Sequence, residues 1–119
     1  MSLTRRSIRK AILAMAAALL LLSLATQAWA ISPSWTHNQK YSFVIMKNTP
    51  HYSSGQATAY LSNDTKVYMK CWIDTENVTD RDYSNYNSPR WFKVSVASSG
   101  KVGYVHSSYV YYQQTVGHC

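Results

Sequence analysis

Beyond residue 40, polar and apolar residues alternate over most of the apolar runs. Lys66–Ile73 (KVYMKCWI) sets Val67, Met69, Cys71 and Ile73 on one face and Lys66, Tyr68, Lys70 and Trp72 on the other. Trp91–Ala97 (WFKVSVA) opposes Phe92, Val94 and Val96 to Trp91, Lys93 and Ser95. Successive side chains on a strand point to opposite faces, so this period of two predicts half-buried strands. Tyr41–Lys47 (YSFVIMK), Val102–His106 (VGYVH) and Val110–Gln113 bring the expected strands to five. Ser98-Ser99-Gly100-Lys101 joins two of them as a tight turn, with a glycine able to take positive φ. No 3.6-residue period occurs after residue 31. The polar stretches 48–63 and 74–89 read as long loops, a length usually tied to function or mobility. Residues 31–40 lack periodicity and read as a flexible lead-in to a domain spanning 41–119. Short strands without helices predict an all-β fold, a small barrel or an orthogonal sandwich.

The first 30 residues follow a different logic. Arg5, Arg6, Arg9 and Lys10 form a basic start, and Ala11–Leu24 is apolar apart from Ser23. Ala28-Trp29-Ala30 then supplies a small-x-small cleavage pattern. That order reads as a secretory signal peptide over 1–30, with a mature chain beginning near Ile31 and no stable membrane insertion after cleavage. The apolar run is shorter than the ~20 residues of a membrane span. Thr4–Lys10 also resembles a twin-arginine export motif, but Arg9 stands where leucine is usual and the leucine-rich run favours the general route. Either route implies a secreted protein, extracellular or associated with the cell wall.

Removing that segment changes the charge. The whole chain carries +7, whereas residues 31–119 hold eight Lys or Arg against five Asp or Glu, leaving +3. The basic residues are dispersed, and four of the five acids fall within 74–82. Nucleic-acid binding needs a dense basic stripe and is set aside. A mildly basic surface suits anionic wall polymers. The two cysteines, Cys71 and Cys119, lie in the exported part, where an even count reads as a disulfide. A reactive thiol at Cys71 is the alternative, but Cys71 sits on a strand pattern beside Trp72 rather than at a helix start.

One family resemblance rests on the last third of the chain. Trp91-Phe92-Lys93-Val94 is followed by Ser99-Gly100-Lys101-Val102-Gly103-Tyr104-Val105-His106-Ser107-Ser108-Tyr109-Val110. This order of aromatic pair, Gly-Lys turn, Gly-Tyr-Val strand and Ser-x-Tyr resembles bacterial SH3-like (SH3b) domains, in particular the single-domain versions of secreted actinobacterial proteins. The resemblance implies a small five-stranded SH3-like barrel and a binding role, commonly attachment to peptidoglycan. It also implies a shallow groove lined by Trp91, His106 and Tyr109, with Tyr52 and Tyr60 of the 48–63 loop as its other wall. The Ala-Leu-Tyr-Asp-Tyr stretch and groove proline of proline-peptide binders are missing, which sets polyproline recognition aside.

Catalysis finds little support in the pattern. His106 and Ser107 are adjacent on a strand and so point to opposite faces. The chain contains no Gly-x-Ser-x-Gly elbow, and its acids cluster in a loop. His37, His51, His106 and His118 lack metal-ligand spacing, and the 74–82 acids do not form a calcium loop. No enzyme, metal or cofactor is expected. Asn63-Asp64-Thr65 and Asn77-Val78-Thr79 match the glycosylation sequon, a short motif that arises by chance. The expected partner is cell-wall peptidoglycan, through peptide or glycan, or else a secreted or surface protein bound as an inhibitor, immunity factor or partner subunit.

Overall fold

The computed structural model describes residues 28–80 and 86–119. The expected signal peptide therefore lies outside the described residues except for Ala28–Ala30. Those last residues already touch the sheet: the Ala30 N–H donates to the Met69 carbonyl at 2.7 Å, and the Lys70 ammonium lies 5.3 Å from the Trp29 ring centre.

The protein is all-β. Its strands are β1 (Ser34–Thr36), β2 (Phe43–Lys47), β3 (Ala57–Ser62), β4 (Thr65–Asp80), β5 (Tyr86–Val96), β6 (Val102–His106), β7 (Val110–Tyr111) and β8 (Gly117–His118). They form one sheet in the order β3-β2-β6-β5-β4-β1-β7, with β8 pairing β4 off that path. The pairs along the path are antiparallel, and β8 runs parallel to β4.

This sheet must curl. Along the path, four strand spacings separate β6 from β7, about 19 Å if flat. Only the 3-10 turn Ser107–Tyr109 connects them in sequence, and such a turn rises about 2 Å per residue. The strands β6-β5-β4-β1-β7 therefore bend round into a half-barrel whose first and last members are joined at one end by the 3-10 turn. The inner face of that curl is the core: Val44, Met46, Leu61, Val67, Met69, Phe92, Val94, Val96, Val105 and Val110. The alternation read from β5 holds there, with Phe92, Val94 and Val96 buried, and that of β4 holds for Val67 and Met69. A register shift between Met69 and Cys71 then breaks it: Cys71 pairs with Lys93 and Trp72 with Phe92, so Trp72 rather than Cys71 packs against the core. Burying one such side chain fully contributes about 1.5–3 kcal/mol.

The Ser98–Lys101 turn forms as expected. Gly100 has φ +71°, its N–H donates to the Val96 carbonyl, and the Val96 N–H donates to Lys101. Cys71 and Cys119 form a disulfide with Cα atoms 4.8 Å apart. The Cys119 N–H donates to the Trp72 carbonyl at 2.8 Å, so the bond fixes a segment that is already paired.

Three expectations about connections are corrected. Residues 31–40 are not a loose lead-in: β1 pairs β4 on one side and β7 on the other, and Ser34 and Thr36 are fully buried. Three residues are too short to display a period, so no alternation could reveal this strand. The connection 48–63 contains β3, whose small residues Ala57, Thr58 and Ala59 carry little hydrophobic signal. The stretch 74–89 is not simply a loop, because β4 runs to Asp80 and β5 starts at Tyr86. Pairing there survives a polar composition because backbone hydrogen bonds carry it.

Asn63 shows how the connections are held. Its side-chain oxygen accepts from the Asn38 N–H at 2.8 Å, and its amide donates to the carbonyls of Asn38 and Tyr41. Asn38 in turn accepts the N–H groups of Lys40 and Tyr41. The first sequon asparagine is thus committed to joining β1 to β2.

Candidate functional site

The structure does bring Trp91, His106 and Tyr109 together. Trp91 lies directly opposite His106 across β5 and β6, with ring centres 5.2 Å apart, edge to face. The rings of His106 and Tyr109 are 6.4 Å apart. Trp91 and His106 stand on the face opposite to Phe92 and Val105, as period two assigns, but no open groove exposes them: each is only 3% exposed. Both neighbours of each alternating pair are buried, Trp91 with Phe92 and Val105 with His106, and Trp91 stands outside the main core cluster.

A bend in the β4–β5 hairpin contributes to the burial of His106. Asp74 pairs with Arg90, but the next pair is Val78 with Ser88, so β4 carries two more residues than β5 across this interval. Such a bulge bends the hairpin, and Pro89 sits at it, a place where a missing N–H costs no ladder bond. The bend carries Ser88 over the outer face. The His106 Nε2–H donates to the Ser88 carbonyl at 3.0 Å, and the Ser107 and Ser88 hydroxyls are 3.4 Å apart.

These bonds assign the histidine a role. A carbonyl can only accept, so Nε2 carries the proton and Nδ1 accepts. Nδ1 receives the Ser108 hydroxyl at 2.8 Å and the Ser108 N–H at 3.4 Å, which caps the 3-10 turn. A serine bonded to an imidazole is one ingredient of nucleophilic catalysis. Here the pair is two residues apart in one turn, both members are buried, and the far side of the ring meets a carbonyl rather than a carboxylate. The arrangement holds a turn and a hairpin together.

Tyr52 and Tyr60 stand on the segment that follows β2. Tyr52 is 67% exposed and belongs to the loop between β2 and β3. That loop is tied down at several points. Lys47 Nζ donates to the carbonyls of His51 and Tyr52. His51 Nδ1 is 2.8 Å from Glu76, whose other oxygen accepts the Tyr52 N–H. The Thr75 hydroxyl donates to the Pro50 carbonyl. The hydrogen bond from His51, with backbone donors beside it, pulls the Glu76 carboxyl down to about 2. Burial lowers the Lys47 ammonium from its ordinary value, against the opposing pull of Glu76.

Tyr60 belongs to the main exposed apolar surface among the described residues. It is 69% exposed, pairs with Ile45 across β2 and β3, and sets its ring edge to face with Phe43 at 5.8 Å. Phe43 meets Tyr41 at 6.2 Å, and the Lys40 ammonium is 5.3 Å from the Tyr41 ring centre. Tyr41, Phe43, Ile45 and Tyr60 are all exposed, so an aromatic strip runs along the outside of this hairpin. Tyr41, Phe43 and Ile45 were missed by sequence reasoning, although a signal existed. YSFVIMK is apolar on both faces, and a sheet with one covered face can bury only Val44 and Met46.

An open cleft of about 360 Å³ lies at the hairpin bend, lined by Asp74, Ser88, Pro89, Arg90, Ser107 and Gln113. Its arginine is already committed: Nε and Nη2 donate to the two Asp74 oxygens at 2.9 and 3.1 Å, and the guanidinium lies 4.0 Å from the Trp72 ring centre. His118 meets the same indole at 4.5 Å, edge to face. The hydrogen bond from Arg90, helped by the charges of Arg90 and His118, lowers the Asp74 carboxyl. Among the described residues, no three of His, Cys, Asp and Glu converge as metal ligands would. Compared with protein-family models, curated proteins and solved structures, the chain matches none.

Proposed function

We propose that this protein is a non-catalytic binding module exported from the cell, built on an SH3-like barrel and recognising cell-wall peptidoglycan. The observation that carries the reading is the exposed strip Tyr41–Phe43–Ile45–Tyr60 on one hairpin face. Flat aromatic rings with hydroxyl tips suit sugar faces and peptide backbones. A contiguous exposed cluster of this kind marks a binding surface more often than a single exposed ring does. The five-stranded curl β6-β5-β4-β1-β7, closed by a 3-10 turn, supports the barrel reading. The disulfide is compatible with an oxidising compartment outside the cytosol, and +3 over residues 31–119 is compatible with anionic wall polymers.

One feature favours a second reading. Ile45 contributes a branched aliphatic side chain to the strip, and sugars gain less from it than a protein partner does. A secreted or surface protein is therefore the alternative ligand.

Retention of the purified protein on isolated cell walls tests both. Phe43→Ala and Tyr60→Ala should each weaken retention about tenfold, the loss typical of an aromatic contact near the centre of a site. Unchanged retention in both variants refutes the strip as the site. No retention of the unaltered protein, together with a specific co-purifying protein, replaces the first reading with the second.

A further inference from the structure

The strip ends at an open sheet edge. β3 is the terminal strand of the path, and no described residue pairs with its outer side. Edge strands in soluble proteins are normally blunted by charge, proline or brevity. The opposite end of the path meets that rule, since β7 has two residues and Tyr112 turns the chain away with φ +55°. Within Ala57–Ser62 (ATAYLS) there is neither a charge nor a proline.

The hydrogen-bond phase shows which groups are unpaired. The Asn63 N–H donates to the Ser42 carbonyl. Antiparallel bonding alternates along a strand, so Leu61 and Ala59 also bond toward β2. The N–H and C=O of Tyr60 and the N–H of Ser62 then face the open side. The Ser62 carbonyl accepts the Thr65 hydroxyl, and a register shift at Met46/Lys47 ends the regular edge near Thr58.

We propose that a second copy of this chain pairs with the β3 edge, antiparallel, about a two-fold axis at Tyr60. That register sets Tyr60 opposite its symmetry mate and exchanges both backbone bonds between them. It also aims the Ser62 N–H of each copy at the Thr58 carbonyl of the other. On the inner face Ala59 falls opposite Leu61, a small residue against a large one. On the outer face the two strips join through the Tyr60 pair. The segment carries no charge, so its self-association meets no like-charge repulsion there, and a two-fold interface requires this kind of self-complementarity. The pairing deepens the binding reading, because a doubled strip gives a polymeric ligand two linked footholds. Its test does not depend on that reading.

Sedimentation equilibrium of the purified protein, from low micromolar up to about 1 mM, should detect a monomer–dimer equilibrium. Ser62→Pro removes an N–H that bonds to no described residue, so the fold is retained while two intermolecular bonds are lost. It should raise the dissociation constant at least tenfold, on the order expected for two backbone bonds. Tyr60→Lys, which opposes two ammonium groups across the axis, should abolish the dimer, and a thermal melt of each variant verifies folding. A monomer throughout the range overturns the proposal. So does a dimer that both folded variants leave intact, or a monomer that accepts only a foreign extended peptide at this edge. Phe43→Ala should weaken wall retention while leaving the dimer intact, which separates this inference from the ligand reading.

Discussion

Cys119→Ser removes the cross-link with little other disturbance. Cys119 is exposed, so the new hydroxyl remains in water, whereas Cys71 is buried and stays a small apolar group as a thiol. The bridged residues are 48 apart, and closing a loop of that length restricts the unfolded chain by about 4 kcal/mol at 25 °C. In the folded state the tail keeps its other ties without the bond. Cys119 N–H still donates to Trp72, Gly117–His118 still pair with β4, and Val116 still packs against the core. Folded contacts thus change little, and the loss should fall near the entropic figure, about 3–4 kcal/mol. In a domain of this size that lowers the melting temperature by about 12–30 °C. Urea unfolding of the variant and the unaltered protein, both without reductant, measures the difference. A loss under about 1 kcal/mol refutes the loop-entropy argument, because the unfolded chain would then already be constrained. Cys71→Ser should cost more than Cys119→Ser, since it also buries a hydroxyl.

Trp91→Ala should destabilise the domain by about 3–5 kcal/mol; abolished wall retention with under about 1 kcal/mol lost would instead make Trp91 a contact residue. Glu76 has its folded pKa depressed to about 2 from 4.5, so its contribution is present above pH ~4.5 and fades as pH falls toward ~2. The Glu76 carboxylate resonance should titrate near 2, and an inflection near 4.5 refutes the His51–Glu76 tie. Gly103→Ala places a Cβ 2.6 Å from Met46 Cγ and 2.8 Å from the Lys47 carbonyl oxygen. Met46 can shift but the backbone cannot, so denaturant unfolding should show a loss of about 1–3 kcal/mol.

Much of the inner face was readable from alternation alone. Val67 and Met69, and then Phe92, Val94 and Val96, occupy the buried positions that period two assigns, whereas the register shift after Met69 sets Trp72 and not Cys71 against the core. The disulfide was readable because two cysteines allow only one pairing. The site was less readable, for a reason visible at Trp91. Period two gives the face of the sheet on which a residue stands and says nothing of what lies over it. Here that depends on two extra residues in β4 around Thr75–Asn77 and on the carbonyl of Ser88, neither of which has a hydropathy signature. β1 was hidden by its length, and β3 by its small side chains. Tyr60 was found through its loop and Tyr41, Phe43 and Ile45 were not, because recognising the strip requires knowing that β2 and β3 pair.

The position of β1 also bears on how the protein reaches this structure. Trp35 pairs with Tyr111, so residues separated by most of the domain must meet before the curl is complete. A chain synthesised from its N-terminus releases Ser34–Thr36 early and Val110–Tyr111 late. During that interval the β7 side of β1 has no partner, and the nascent chain bears a vacancy at its future seam. Contacts so distant in sequence slow folding and prolong exposure to aggregation. The seam is therefore where an escorting chaperone has most to protect.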